Sequence, residues 1–391
     1  MIVRKMVEIP NRDSFFLLGP RQTGKSTLIR HWLKKKKFFE IDLLNTQLYF
    51  KYSTHPQQLH ADLTYQIEEN SIKHIFIDEI QKIPELLNVV HSLIEKYKVQ
   101  FILTGSSAKK LKKLHANLLG GRAIVLKLFP LIYAEINDQY EFEEILKYGT
   151  LTGLFSDSEK IKQKKLNAYV ETYLKEEISQ EGFIRNLPVF SRFLKLAGQT
   201  FSQLINFENV SRESGINAKT VAAYYQILED TLIGYYLPCW DRSVRKQLSK
   251  HSKFYFFDNG VTTTLNDSLT HKLSPELQGA NFEQLMINEI RAVLHYTFSE
   301  LQLHFWRTQA GNEVDLVLSR GGKPIAAIEF KNKKKLSNTD MSGLNSFSEE
   351  YPDVKNIFCI ADIDLPYKLK NIKCLPWEVF LKTELLKLVK L

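Results

Sequence analysis

Three observations predict an α/β protein built from several modules. A short apolar run, SFFLL at 14–18, leads directly into GPRQTGKS and then into the helix-like TLIRHWLKKKK, giving the order strand, glycine-rich loop, helix. The stretch 136–205 has apolar residues three and four apart and no strand alternation. The C-terminal part returns to strands, with GNEVDLVLSRGG and KPIAAIEFK meeting at Gly321-Gly322. At 391 residues the chain exceeds one ordinary core. The predicted layout is a phosphate-binding domain with a parallel sheet at 1–135, a helical connection at 136–205, a winged helix-turn-helix at 206–262 and a second α/β domain at 263–391.

Composition sets outer limits. Hydrophobic residues make up 44% and charged residues 25%, the balance of a globular domain protein. No apolar run approaches the roughly 20 residues that cross a bilayer, so no membrane partner is expected. MIVRKMVEIPNRD has scattered charge and no apolar core, unlike a secretion signal. Cys239, Cys359 and Cys374 are odd in number and lack metal-type spacing, which fits buried thiols in a reducing cytoplasm. A net charge of +9 is a mild pointer to a polyanionic partner.

The first element is a phosphate cradle. Gly19, Pro20, Arg21, Gln22, Thr23, Gly24, Lys25, Ser26 and Thr27 form the predicted nucleotide-binding loop. Gly19 and Gly24 let the backbone curl so that its N–H groups converge with the helix N-terminus into an anion nest. Lys25 can neutralise the β- and γ-phosphates of ATP, and the Ser26 hydroxyl can ligate Mg²⁺. Next, IKHIFIDE at 72–79 reads as a strand ending in two carboxylates. Asp78 is placed to hold Mg²⁺, and Glu79 to orient or deprotonate an attacking water. VQFILTGSS at 99–107 is a third strand ending in hydroxyls, with Thr104 or Ser106 as a γ-phosphate sensor. Arg122, after the glycine pair of LLGGRAIVLKLFPL, reads equally as a finger toward a neighbouring subunit or as a surface arginine at a turn.

The succession GPRQTGKST, IFIDEIQKIPELL, FILTGSS and LLGGRAIVLKLFPL resembles the AAA-superfamily P-loop ATPases of the archaeal-type branch. Within that branch it resembles a bacterial and archaeal group whose C-terminal half carries a domain of formerly unknown function. The resemblance runs nearly the whole length. It implies ATP hydrolysis and a helical connection between the ATPase and the C-terminal part. It leaves open what the energy drives.

In the middle, KLNAYVETYLKEEISQ at 165–180 and LPVFSRFLKLAGQTFSQLI at 187–205 read as helices, and Pro188 suits a helix start. FENVSRESGINAKTVAAYYQILEDTLIG reads as a helix to Ser214, a turn at Gly215 and a second helix capped by Asn217 with Val221, Ile227 and Leu228 inward. GYYLPCW at 234–240 would begin the wing. Asn217, Lys219 and Thr220 then stand at the start of a recognition helix as DNA-binding residues. Tyr224, Tyr225, Glu229 and Asp230 make the following face weakly basic at most, so use of the winged helix for packing is an equal reading.

The C-terminal elements are a helix in GANFEQLMINEIRAVLH carrying Glu283 and Glu289, a strand in LQLHFWRT, and the strand pair. Asp315 lies in the first strand of the pair. Glu329 and Lys331 are two apart in the second and share a face. Asp315 and Glu329 offer hard oxygen ligands to Mg²⁺, Glu283 can complete the metal shell, and Lys331 can activate water or offset phosphate charge. This pattern resembles the restriction-endonuclease-like PD-(D/E)xK nucleases, with Val314-Asp315 in place of Pro-Asp. The resemblance implies metal-dependent cutting of nucleic acid; the alternative is a non-cleaving ATP-dependent switch that binds DNA or a protein. KNKKK at 331–335 is either a phosphate-tracking strip or a solvated loop. KNIFCIA at 355–361 reads as a buried strand, and 373–391 as a closing helix. Monomer, dimer and ring remain equally open.

Overall fold

A computed structural model describes residues 4, 6–106, 118–136, 141–155, 157–174, 186–243, 245, 247 and 251–390. Ser107 of the expected third strand run, 175–180 of the expected helix, and Leu391 lie outside the described residues. The chain forms two compact units. The first comprises Val3–Pro130 with Asp230–Ile233, and the second takes Leu131–Glu229 and Gly234–Leu391.

The first unit holds a five-stranded sheet in the order β2-β3-β4-β1-β5, with every pairing parallel. The strands are β1 (Ser14–Leu18), β2 (Phe38–Asp42), β3 (His74–Asp78), β4 (Gln100–Gly105) and β5 (Ala123–Lys127). β1, β3 and β4 are continuous apolar runs because both faces of a parallel sheet are covered. Phe16, Ile75, Ile77 and Leu103 pack into one core and Phe15, Leu17, Phe76 and Ile102 into another. The sheet therefore brings the C-terminal ends of β3 and β4 beside the end of β1, where open α/β sheets bind ligands. The helix after the loop is Lys25–Leu33 and stops before the lysine run.

In the second unit helices occur at Phe142–Tyr148, Glu159–Ala168 and Leu187–Gln199, so the helix expected over 187–205 stops at Gln199. The helix-turn-helix is Phe207–Ser214, Gly215 at φ 69°, and Ala218–Asp230. Val221, Ile227 and Leu228 are buried as expected. Tyr224 and Tyr225, expected on an outer face, are buried as well. Tyr225 packs edge-on against Phe193 at 5.0 Å and Phe254 at 4.9 Å, and Tyr224 against Phe190 at 5.1 Å. Such an aromatic cluster outweighs the weak polarity of a tyrosine hydroxyl. β6 (Gly234–Leu237) and β7 (Lys253–Phe256) form an antiparallel hairpin.

The long helix Pro275–Tyr296 precedes a six-stranded mixed sheet in the order β12-β13-β11-β10-β9-β8. Its strands are β8 (Gln302–Arg307), β9 (Glu313–Arg320), β10 (Lys323–Lys331), β11 (Asn356–Ala361), β12 (Tyr367–Leu369) and β13 (Ile372–Pro376). β8, β9 and β10 run antiparallel, and β10, β11 and β13 run parallel. The tail expected as a closing helix supplies β13 first and turns helical from Trp377. All three cysteines are buried and unbridged. No described helix is long and apolar enough to cross a membrane.

Candidate nucleotide site and carboxylate–lysine cluster

The loop after β1 curls because two residues take positive φ, Gln22 at 62° and Gly24 at 87°. Gly19 leaves the sheet by donating its N–H to the Gly105 carbonyl at 3.1 Å. A Cβ at Gly19 would lie 2.3 Å from the Leu128 carbonyl oxygen, so the position excludes any side chain. Thr23 Oγ1 donates to the Pro20 carbonyl at 2.8 Å. Lys25 Nζ donates to the carbonyls of Gly19 at 2.8 Å and Pro20 at 2.9 Å, keeping the ammonium on the loop it serves. Arg4, which the sequence did not single out, braces the loop by donating to Thr23 O at 3.3 Å and Phe129 O at 2.7 Å. Ser26 is half-buried at the helix start and Thr27 is exposed.

The carboxylates arrive at the end of β3, one strand removed from β1 with β4 between them. Asp78 ends β3 and accepts a hydrogen bond from the Thr104 hydroxyl, with Arg30 at 3.8 Å. Glu79 has left the strand at φ 58°, a left-handed conformation uncommon outside glycine. That turn lets consecutive residues of an extended strand serve one site. Burial pushes the Glu79 carboxyl above its usual range, while the Lys25 ammonium and the Gln81 amide pull it back. A carboxyl held in that balance is suited to taking a proton from water. The Ser26 hydroxyl and the Asp78 carboxylate are hard oxygens of the kind Mg²⁺ takes. Arg122, offered as a finger, pairs within its own unit with Glu95 at 2.5 Å.

In the helix-turn-helix, Asn217 and Lys219 are exposed and Thr220 is half-buried. Asn217 Oδ1 is used locally, accepting the Lys219 N–H at 2.9 Å. This cap leaves Lys219 as the cation presented at the helix start.

The second unit brings Glu283, Asp315, Glu329 and Lys331 into mutual electrostatic reach. Two further residues dominate the cluster. Lys253 of β7, its side chain 4% exposed, lies 2.7 Å from Glu313, 3.0 Å from Glu283 and 4.0 Å from Asp315. Tyr255, two residues on and on the same face of β7, donates its hydroxyl to Glu283. Burial works against the Lys253 charge, yet the surrounding carboxylates hold its pKa above the ordinary lysine value. Glu283 was expected to complete a metal shell; it is instead taken up by Lys253 and Tyr255. Among the described residues no group of three or more His, Cys, Asp or Glu side chains is arranged to hold a metal ion.

Asp315 accepts the Phe330 N–H at 2.8 Å, and Lys331 donates to Glu329 at 2.6 Å. Burial and the Asp315 charge push the Glu329 carboxyl up, with Lys331 opposing them. Glu329 Oε2 is buried without a hydrogen-bond partner. Two lysines of the 331–335 run are tied down, Lys333 to Asp340 at 2.6 Å and Lys334 to Asp362 at 2.9 Å, which weakens the phosphate-strip reading.

Elsewhere in this unit, buried Glu289 accepts the Tyr133 N–H at 2.9 Å, and burial pushes its carboxyl up to about 8. The raised folded-state value makes ionisation costly. Stability present at pH 4–5 should fall as pH rises toward 8, by at most about 5 kcal/mol for the gap from 4.5 to about 8. Glu289→Gln should flatten that fall in urea melts taken across pH 5 to 8.5; an unchanged slope would assign the pH dependence to other groups.

Comparisons with known proteins agree with this geometry where it is most specific. Residues 11–137 match a family described as an AAA domain, while 139–272 and 278–380 match two domains of unknown function, DUF8612 and DUF4143. An uncharacterized protein of Mycobacterium tuberculosis is 26% identical over 317 residues, covering 79% of this chain and 68% of its own. An uncharacterized protein of Methanocaldococcus jannaschii is 22% identical over 347 residues, covering 83% and 76%. The solved Walker-type ATPase of Pyrococcus abyssi is similar at a TM-score of 0.44 and 16% identity, covering 65% of this chain and 91% of that one. The five-stranded parallel sheet, the loop closed by Lys25 and the match over 11–137 together make the first unit an AAA-like P-loop domain.

Proposed function

We propose that the chain hydrolyses ATP in its first unit and engages nucleic acid, DNA foremost, through its second. The observation that carries the first half is the glycine-lined loop after β1, curled by Gln22 and Gly24 with the Lys25 ammonium held on its Gly19 and Pro20 carbonyls, in the same sheet whose β3 ends in Asp78, followed by Glu79. Gly19–Thr27 would wrap the phosphates with N–H groups, Lys25 would hold their negative charge, and Ser26 and Asp78 would hold Mg²⁺. Bound Mg²⁺ would offset phosphate charge. Glu79 would take a proton from water as its oxygen bonds to the γ-phosphorus and the bond to the β–γ bridging oxygen breaks, giving ADP and phosphate. Thr104 supports Asp78. Arg122 could serve a neighbouring copy only by leaving Glu95. Phosphate release by wild type against Glu79→Gln and Lys25→Ala tests this half.

The nucleic-acid half is supported by the helix-turn-helix with exposed Lys219 and by the net charge of +9. Lys219→Ala should weaken binding to fluorescent duplexes about equally whatever their sequence and lower the slope of log affinity against log salt by about one. Absence of duplex binding by wild type would leave a protein-binding switch.

A second reading, metal-dependent cleavage by a restriction-endonuclease-like domain, is favoured by Asp315, Glu329 and Lys331 sharing one cluster with Glu329 Oε2 unpartnered. Cleavage of plasmid by wild type with Mg²⁺ and ATP, lost in both Asp315→Ala and Lys331→Ala, would establish it. Inert wild type would leave the Lys253 cluster as an internal ion-pair network.

A further inference from the structure

Gln81 stands two residues beyond Glu79 and is 5% exposed. Its Nε2 donates to the Glu79 carboxylate and to Ser106 Oγ at 3.0 Å. Ser106 follows the last residue of β4, whose end at Gly105 also receives the Gly19 N–H. The amide fits there because Gly105 has no side chain: a Cβ would lie 2.6 Å from Gln81 Oε1. That Oε1 is buried without a hydrogen-bond partner, so both of the amide's bonds run through Nε2. A buried polar group left half-satisfied is costly and persists where its geometry is needed.

We infer that Gln81 is the positioning residue of Glu79, tying its carboxylate to the end of β4 through Ser106. The inference rests on the reading of Glu79 as the group that takes the proton from water. Glu79 carries an uncommon left-handed backbone and a side chain with three rotatable bonds. One hydrogen bond from Gln81 restricts where its oxygens point. Ser106 extends that restriction to the strand running beside β1, so Glu79, the strand end and the loop share a connected set of hydrogen bonds.

The test is ATP turnover by full-length wild type, Glu79→Gln, Gln81→Met, Ser106→Ala and the double variant Gln81→Met/Ser106→Ala. Gln81→Met keeps the length of the side chain and removes the amide. Its kcat should fall roughly tenfold to a hundredfold while KM for ATP stays put, because the bond to a charged group is lost and nucleotide contacts are untouched. Ser106→Ala should cost less, and the double variant should match Gln81→Met alone, since Ser106 acts through Gln81. A Gln81→Met kcat within about twofold of wild type, a change confined to KM, or losses that multiply in the double variant would overturn the inference. Should Gln81→Met fail to fold, Ser106→Ala still decides: lowered kcat at unchanged KM and unchanged melting temperature supports it, and wild-type kcat overturns it. Wild-type turnover by Glu79→Gln would sink the reading of Glu79 and the inference together. Inert Glu79→Gln beside fully active Gln81→Met would sink the inference alone.

Discussion

Glu79→Gln should bind ATP with an affinity within a few-fold of wild type and hydrolyse it about a hundredfold to ten-thousandfold more slowly, the usual span for removing a general base. The substitution keeps the shape of the side chain and a hydrogen-bonding oxygen for Gln81. It removes the capacity to accept a proton. The phosphate-binding groups are untouched, because the loop is set by Gln22, Gly24 and Gly19 and its charge by Lys25. Lys25→Ala should do the opposite. It deletes the cation and its bonds to the Gly19 and Pro20 carbonyls, the latter still held by Thr23, so binding itself should weaken. Nucleotide titrations by calorimetry and phosphate release on the same preparations separate the two effects. Equal losses of binding in both variants would mean that Glu79 shapes the pocket and does not act on water.

The candidate nucleotide site was legible because its chemistry is local. Loop, lysine and serine are contiguous, and Asp78 and Thr104 sit at the ends of apolar runs that both-sided burial makes conspicuous. β2 and β5 were missed for the converse reason: FFEID and AIVLK carry charge and have partly exposed strand positions at the two edges of the sheet. Gln81 was invisible because nothing in IFIDEIQ says that Glu79 turns left-handed and brings residue 81 back toward it.

The distal cluster shows the same division. Two-residue spacing announced Glu329 and Lys331 on one face of a strand. Lys253 sits in the basic stretch KQLSKHSKF, and only the β6–β7 pairing carries it inward to Glu283 and Glu313. A buried lysine is recognised by its partners, and these lie 30 or more positions away in sequence. Tyr224 and Tyr225 were misplaced because their partners Phe190, Phe193 and Phe254 also come from other elements.

Gly343→Ala should be among the most damaging conservative changes in the chain, although no chemistry attaches to it. Gly343 is buried in the first turn of the helix Ser342–Glu350, where a Cβ would lie 1.7 Å from the Glu313 carbonyl oxygen. That atom is strand backbone at the start of β9 and cannot swing aside as a side chain would. The helix must lift, and with it Leu344 and Phe347, the latter packed edge-on against Trp306 at 5.4 Å. A loss of about 3 kcal/mol is expected, at the upper end for overpacking. For a unit of this size that lowers the melting temperature by roughly 10 °C. Gly279→Ala is the matched control. It lies within the helix Pro275–Tyr296, with nothing within 4 Å of an added Cβ, and alanine should stabilise it by up to about 1 kcal/mol. Opposite shifts for the two glycines, read by calorimetry, would tie the loss to the close approach at Glu313; a fall of equal size in both would mean that helix backbone, not contact, governs this unit.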